Sequence, residues 1–314
     1  MACGIWRLAS RSFPLLVLLF WAGFVGSHWS ELSTWEWSLD AGGAALSILL
    51  FCLYFLGQAV GWTFVARGMG YRLPLLGGTG LWLLSTPARY VPGNVWHIVT
   101  RVHLARRYRL SIEDVLVSST VEQALTVLAP ACLGLGWVFS YSGVSQIWGG
   151  LLILLACLLD IQPPLLRFLL QLASRFLRRP KPSFSLTYRS VARLFLLYGF
   201  VSAAGGAAFA ALVTSSLSGQ QLSWPMLASG YCLAYTVGYV SLLAPSGIGV
   251  REAALAGMLA LYLPLPAALS LSLLSRLFAM VGEALAVCCV GLPQWIRWRQ
   301  LPNRVEDVGT LTVK

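Results

Sequence analysis

The chain has 314 residues, of which 58% are hydrophobic and only 11% are charged, and its mean hydropathy is +0.75. A soluble domain carries charge on about a quarter of its residues, so this composition excludes an ordinary soluble protein. The net charge of +11 does not indicate nucleic-acid binding, because Lys and Arg stand in short segments between apolar runs, where they report membrane topology. The seven cysteines are scattered and show no metal-ligand spacing.

The amino end carries Arg7 and Arg11, followed by a short apolar run over residues 13–26. No small-x-small cleavage site follows the run, so we expect a retained first helix rather than a cleaved signal peptide. Residues 28–40 contain three tryptophans and no Lys or Arg, which places this segment outside the cell. Residues 41–66 then predict a second helix that returns the chain to the cytoplasm.

An apolar run over residues 75–100 is flanked on both sides by basic segments. A single crossing would put the arginines that follow it outside, against the bias of Lys and Arg towards the cytoplasm. The stretch Tyr90-Val-Pro-Gly-Asn-Val-Trp96 also interrupts the run. Broken backbone at membrane depth is tolerated only where protein buries it or where it lines a wet cavity. We therefore predict a re-entrant hairpin that turns at residues 86–94.

The rest of the chain predicts further helices around a basic loop. Outward and return helices are predicted over residues 115–139 and 147–159, and again over 194–214 and 226–243. The segment 160–193 between these pairs is rich in Arg and Lys and is the strongest cytoplasmic signal in the sequence. After a second break, Ala244-Pro-Ser-Gly-Ile-Gly-Val-Arg-Glu252, we expect a short helix over 252–263 and a final span over 267–292.

These elements predict an all-α, polytopic integral membrane helical bundle with about eight crossings, one re-entrant hairpin and both termini in the cytoplasm. A single transmembrane domain would cover residues 1–293, followed by a short cytoplasmic tail over 294–314. Its halves, about 40–160 and 190–292, would be joined by the basic cytoplasmic loop 161–193. Each half has a spanning helix, then a Pro/Gly break and further helices, which suggests a pseudo-repeat. Breaks at matching positions point to a transport site.

Ionisable residues inside apolar segments are costly, so each needs a partner or a function. The sequence places eight such residues there: Arg89, His97, Arg101, Glu122, Arg251, Glu252, Arg276 and Glu283. Arg101 could instead snorkel to the interface, and Glu122 could pair with an arginine of the hairpin or bind a proton. Arg276 and Glu283 share one helix face but stand about two turns apart, so we expect each to meet a partner on another helix.

The second break offers an anion site where a helix begins. Free N–H groups at a helix start, together with Arg251, suit a phosphate or a carboxylate. The plainer alternative is a glycine turn in which Glu252 only stabilises the helix start. The companion break favours a substrate site. The candidate substrate-binding residues are Arg89, Pro92, Gly93, Asn94, Arg101, Glu122, Gly247, Gly249, Arg251, Glu252, Arg276 and Glu283.

Signatures of enzymes are missing from the sequence, which contains no GxSxG, HExxH, Walker or DxD pattern. We therefore expect no catalytic residue, no cofactor, no metal and no enzyme activity. Glycine clusters at residues 77–80 and 205–206 are expected to let helices pack closely rather than to bind a ligand.

The stretch from Arg89 to Arg101, followed by Glu122-Gln123, resembles the first signature of the lysylphosphatidylglycerol synthase transmembrane-region family. The stretch 245–254, with the later Arg276 and Glu283, resembles its second signature, and the resemblance covers about residues 40–292. It implies a flippase-like membrane domain of the bacterial inner membrane. It also implies that the cytoplasmic aminoacyl-transferase domain of larger members is absent. Family members often have Lys where this chain has Asn94, so that cation is missing.

The first hypothesis is a flippase-like transporter that moves an anionic or zwitterionic phospholipid or a lipid-linked headgroup between leaflets. The arginines would hold the phosphate of a membrane lipid, and the glutamates would balance charge or carry a proton. No ATP site is present, so movement would be passive or ion-coupled. The alternative is a non-catalytic membrane partner of a glycosyltransferase or another cell-envelope lipid enzyme, docked through the basic loop. A membrane transferase is a third hypothesis, but the sequence shows no donor site. The oligomeric state is unknown.

Overall fold

A computed structural model describes residues 39–90, 95–142, 187–217, 222–240 and 249–300, with side chains described up to residue 138 in the second range. Several predicted features lie outside these ranges: the first helix at 13–26, the helix at 147–159, most of the basic loop, and the residues Pro92, Gly93, Asn94 and Gly247. The described part of the chain is helical, and no strand occurs in it.

Nine α-helices are described in chain order. They are α1 (Ala41–Gly68), α2 (Leu75–Ser85), α3 (Trp96–Ala105), α4 (Ile112–Ser142), α5 (Tyr188–Ser215), α6 (Trp224–Val240), α7 (Val250–Leu259), α8 (Leu265–Ala286) and α9 (Leu292–Gln300). The 3-10 turns Thr86–Tyr90 and Arg106–Tyr108 follow α2 and α3, and the π-helical segment Val287–Gly291 joins α8 to α9.

Four of the described helices are long and apolar enough to cross a membrane. They are Ala41–Gly68, Ile112–Val138, Tyr188–Ser215 and the continuous stretch Leu265–Gln300. Helices α1 and α5 each have 28 residues. A helix of that length rises about 42 Å, which exceeds the ~30 Å hydrocarbon core of a bilayer. The predicted all-helical membrane bundle is therefore confirmed, whereas the number of crossings and the depth of the hairpin stay predictions.

Most helix boundaries lie within a few residues of those that the sequence predicted, and two differ more. Helix α5 begins at Tyr188 rather than at residue 194, because the side chain of Thr187 accepts a hydrogen bond from the backbone N–H of Ser190 and caps the helix. Arg189 and Arg193 therefore belong to the helix. The prediction that placed them in the basic loop was wrong.

The last helix continues beyond the predicted end of the final span. The π-helical segment carries the chain from α8 into α9, which ends at Gln300, so residues 294–300 are helical rather than part of a polar tail. Trp298 on α9 is buried, and α9 packs against α2. The carboxyl end of the described chain is thus part of the bundle.

Helices α1 and α5 pack against each other along their length and run in opposite directions. The backbone N–H of Asp40, just before α1, donates to the carbonyl of Ser215 at the end of α5 over 2.9 Å. Further along, a Cβ on Gly61 would lie 2.8 Å from the ring of Tyr198, near the start of α5. This antiparallel pair forms the centre of the bundle, with α2, α4 and α8 packed against α1 and with α4 and α6 against α5.

The entry and exit of the α2–α3 hairpin lie at the same end of the bundle. The hydroxyl of Tyr71, before α2, donates to a carboxylate oxygen of Asp114, in the first turn of α4, over 2.7 Å. The indole N–H of Trp298 donates to the hydroxyl of Tyr108, after α3, over 3.1 Å, so α9 ends there too. We call this the basic end, and its arginines are Arg67, Arg72, Arg106, Arg107, Arg109, Arg297 and Arg299.

The described elements of the two halves follow the same order, and the first helices of the two halves run in opposite directions. Each begins with a 28-residue helix, continues through a helix, a break and a 10-residue helix, and ends in a long helix. Helix α1 runs towards the basic end, whereas its counterpart α5 runs away from it. In this order α2 corresponds to α6, and α4 corresponds to α8 with its continuation into α9. The contacts between the halves follow the same correspondence, since α4 packs on α6 and α2 packs on the π-helical segment and α9. The order of the elements and the opposite directions of α1 and α5 fit an inverted repeat, an arrangement typical of secondary transporters, and the pseudo-repeat itself stays a prediction.

The glycine clusters lie where helices approach closely, as predicted. A Cβ on Gly78 of α2 would stand 2.6 Å from the side chain of Thr63 on α1. A Cβ on Gly206 of α5 would stand 2.7 Å from the backbone oxygen of Ala228 on α6. Small residues at these crossings let the helix backbones come together, which is how membrane helices gain packing energy without a hydrophobic driving force.

Candidate functional site

A cavity of about 130 Å³ lies between the two halves of the bundle. Its walls come from α1, α2, α3 and α4 in the first half and from α6, α7 and α8 in the second. The sequence-predicted cations Arg89, Arg101, Arg251 and Arg276 all line it. Residues that stand far apart in the sequence are thereby brought to one polar space inside an apolar bundle.

The first ion pair in this cavity joins α3 to α4 and is fully bonded. Arg101 is only 1% exposed, and its guanidinium lies 2.5 Å from a carboxylate oxygen of Glu122 and donates to Ser119 over 3.1 Å. The indole N–H of Trp82 donates to the other oxygen of Glu122 over 2.6 Å. The guanidinium also lies 5.0 Å from the ring centre of Trp62. Arg101 therefore does not snorkel to an interface, and Glu122 pairs with a hairpin arginine, one of the two predicted roles.

The second pair joins α7 to α8, and here too both carboxylate oxygens are used. Arg276 lies 2.7 Å from one oxygen of Glu252, and the backbone N–H of Gly249 donates to the other over 2.7 Å. Gly249 has a φ of 90°, a conformation that favours glycine and that starts the helix. Glu252 thus stabilises the helix start, as the plainer interpretation predicted. In this pair the short helix α7 carries the glutamate and the long helix α8 carries the arginine. In the first pair the short helix α3 carries the arginine and the long helix α4 the glutamate.

The third pair joins the two halves and is incompletely bonded. Arg89, in the 3-10 turn after α2, lies 2.9 Å from a carboxylate oxygen of Glu283 on α8. Tyr90 donates its hydroxyl to that same oxygen over 2.6 Å. Among the described residues, the second oxygen of Glu283 is buried and has no hydrogen-bond partner, and neither has the Nε of Arg89. The Arg89 nitrogen that faces Glu283 lies at ion-pair distance but makes no well-aligned hydrogen bond. Arg276 and Glu283 thus each meet a partner on another element, as predicted.

Arg251 is the cation of this cavity that has no carboxylate within ion-pair distance among the described residues. Its guanidinium donates to the hydroxyl of Tyr231 over 3.0 Å and lies 4.8 Å from the centre of that ring. Its Nε is buried and finds no hydrogen-bond partner in the described ranges. Because the other three arginines are each balanced by a glutamate, the described charges around the cavity sum to a net positive value that favours an anion.

A row of tyrosines on α6 forms one wall of the cavity and was missed by the sequence analysis. Tyr231, Tyr235 and Tyr239 recur every four residues, which places them on one helix face. Tyr54 and Tyr90 face the same cavity from the first half. The four-residue spacing was a usable signal, but tyrosine in an apolar run is usually read as packing. The wall offers hydroxyl donors and aromatic faces rather than further charge.

The remaining predicted residues divide into those the structure places and those it leaves out. His97 lines the cavity, and its Nδ1 is buried without a hydrogen-bond partner. Pro92, Gly93, Asn94 and Gly247 lie outside the described residues. Within the described ranges, no group of three or more His, Cys, Asp and Glu side chains lies close enough together to hold a metal ion.

The family resemblance seen in the sequence is confirmed over most of the chain. The model of the family described as lysylphosphatidylglycerol synthase TM region matches residues 6–286. No curated protein matches the chain. Since the family match covers far more than half of the sequence, the chain belongs to this family of membrane proteins, which points to a role in lipid or cell-envelope processes.

Proposed function

We propose that this family member moves a phosphate-bearing headgroup between the leaflets of the bacterial inner membrane without catalysing a reaction itself. The cargo would be an anionic or zwitterionic phospholipid, or a lipid-linked headgroup. The observation that carries the proposal is Arg251, whose guanidinium faces a cavity between the halves and has one N–H without a partner among the residues described. A guanidinium presents a planar set of donors that matches phosphate oxygens, so an unbalanced arginine in a buried cavity suits such a ligand.

The outer surface of the bundle supports a lipid cargo rather than a small soluble anion. Large apolar side chains point outward from the long helices, as Leu196 and Phe200 do on α5 and Leu277 does on α8. Acyl or prenyl tails would stay against such surfaces in the hydrocarbon, while the polar headgroup passes through the cavity. This division avoids placing either part of the lipid in an environment that it disfavours.

The inverted repeat supports movement rather than static binding. In secondary transporters with this arrangement, a site between the halves is exposed to each side in turn as one half rocks against the other. The cavity of this chain has that position, since both halves contribute to its walls. The Arg89–Glu283 contact joins the halves directly at the cavity.

The test is lipid movement in proteoliposomes, with fluorescent phosphatidylglycerol and a polyprenyl-phosphate analogue as probes. Loss of a hydrogen bond to a charged group costs 1.5–3 kcal/mol, so we expect Arg251→Ala to slow movement by at least about tenfold. Arg89→Ala is expected to slow it similarly. Arg193→Ala removes an exposed arginine on α5 and is the matched control, which should move lipid at the wild-type rate. Wild-type rates in both cavity variants would contradict the proposal.

A second candidate is a non-catalytic membrane partner of an envelope glycosyltransferase. The observation that favours it is the basic end, where Arg106, Arg109, Arg297 and Arg299 are exposed and could contact an acidic protein surface. Failure of wild-type protein to move either lipid faster than empty liposomes would favour this candidate. Salt-sensitive co-purification of a glycosyltransferase would then support it.

A further inference from the structure

The three ion pairs around the cavity differ in how many of their hydrogen-bonding atoms are used. Glu122 and Glu252 each have both carboxylate oxygens bonded. Glu283 has one oxygen that contacts Arg89 and Tyr90, and its second, buried oxygen has no hydrogen-bond partner in the part of the chain that the structure describes. An unsatisfied buried polar atom is costly and asks for an explanation. Of the three ion pairs, only Arg89–Glu283, which joins the two halves, bears the free-energy cost of an unsatisfied carboxylate oxygen.

We propose that Glu283 is the resident ligand of the anion site. In the empty protein its carboxylate occupies Arg89, and the phosphate of an arriving headgroup displaces it and takes its place. This inference rests on the proposed function and adds to it the residue that sets the affinity. Glu283 thereby acts as a built-in competitor, and the protein exchanges one anion for another on the same guanidinium.

The donors around the cavity suit this exchange. The Nε of Arg89 and the Nε of Arg251 are both buried and have no hydrogen-bond partner within the ranges that the structure describes. Both side chains line the cavity, one from each half. A phosphodiester carries two charged oxygens, so one headgroup can bond to both guanidinium groups and satisfy donors that the empty protein leaves unused.

The displaced carboxylate also keeps a partner. Tyr90 donates to Glu283 independently of Arg89, over 2.6 Å, so Glu283 retains one short hydrogen bond when the phosphate takes the guanidinium. The other two pairs lack this freedom. Arg101 is packed between Trp62 and Trp82, and Glu252 is tied to the backbone at the start of α7. Opening either of them would break several contacts at once, so they position the cavity while the third pair exchanges.

A competitor inside the site raises the apparent dissociation constant in inverse proportion to the fraction of time that Arg89 is free. Its removal should therefore tighten binding of the anion. It should also slow release, because a transported ligand must be held weakly enough to leave. Glu283→Gln keeps the shape of the side chain and removes its charge. The variant is expected to bind an anionic headgroup more tightly and yet to move lipid more slowly, a split that general damage to the fold would not produce.

The experiment titrates the detergent-solubilised full chain with dihexanoyl phosphatidylglycerol and follows tryptophan fluorescence, since Trp82 lines the cavity. Glu283→Gln is expected to lower the dissociation constant about tenfold, which corresponds to an Arg89 that is free about a tenth of the time in the wild type. The gain should vanish in the double variant Arg89→Gln/Glu283→Gln, because the exchange needs both partners. Glu283→Asp keeps the charge on a shorter side chain and should give a smaller gain.

Two results would overturn the inference. One is an unchanged dissociation constant in a folded Glu283→Gln variant that gives a wild-type melting profile. The other is a gain that persists in the Arg89→Gln background, because it would report only a general change in charge. Both are distinguishable from failure of the proposed function, in which the wild type itself neither binds the short-chain lipid nor moves the long-chain one.

Discussion

The guanidinium of Arg101 lies between two indole rings and is held by a carboxylate from the neighbouring helix. Such a buried charge is stable only while its partner is present. We expect Arg101→Ala to reduce stability by about 3–5 kcal/mol, because it leaves Glu122 charged and uncompensated in the core. The melting temperature in detergent measures this effect. Arg101→Lys should also destabilise, since an ammonium lacks the planar shape that stacks on tryptophan.

The matched control for this prediction removes both charges together. The double variant Arg101→Met/Glu122→Gln should recover much of the stability that either single change loses, because no isolated charge then remains in the core. Equal losses in the single and double variants would show that packing around Trp62 and Trp82, rather than charge, sets the stability of this region.

For single residues, the sequence identified which charged side chains line the cavity but not which of them form ion pairs with each other. Arg89, Arg101, Arg251 and Arg276 could be selected because an ionised group in an apolar segment needs a reason. The pairing of Arg89 with Glu283 joins residues from opposite halves, and no local pattern encodes such a contact. The tyrosines of α6 escaped notice because a phenol ring satisfies an apolar environment and a polar cavity equally well.

Among the elements, α5 provides a comparison of two glycines on one helix. A Cβ on Gly206 would meet the backbone oxygen of Ala228 at 2.7 Å, whereas a Cβ on Gly199 would have nothing within 4 Å. Gly206→Ala should therefore lower the melting temperature, since a backbone atom of α6 cannot move aside locally. Gly199→Ala is the control and should leave stability unchanged or raise it, because alanine favours a helix by up to ~1 kcal/mol relative to glycine.

An equal effect of the two substitutions would contradict this account of the α5–α6 crossing.

Helix existence was predictable from apolar length, and α1 and α4 lie close to their predicted ranges. Helix ends were less predictable. The cap at Thr187 is a short polar signal next to a basic segment, and the π-helical segment Val287–Gly291 has no turn-forming residue before its final glycine.

The whole molecule can be oriented by a single exposed position. Arg109 lies at the basic end, after the hairpin, and is exposed. We expect Arg109→Cys, in a cysteine-free background, to react with a membrane-impermeant maleimide only from the cytoplasmic side, because arginine clusters stay in the cytoplasm. The labelling yield in intact cells and in inverted vesicles measures this. Reaction from the outer side alone would reverse the predicted orientation and place the hairpin on the other leaflet.

The inverted repeat also bears on energetics. Suppose that each half can adopt the conformation that the other half now has. The resulting state of the protein would then contain the same types of helix–helix contact, with the two halves interchanged. The α4–α6 and α2–α9 contacts would then exchange roles, and the two states would be close to degenerate in free energy. Detailed balance then requires no fuel for the switch itself. Under the proposed function, a protein built this way would relax a lipid gradient in whichever direction the gradient runs. The direction of net flow would then depend only on an unequal supply of lipid to the two leaflets.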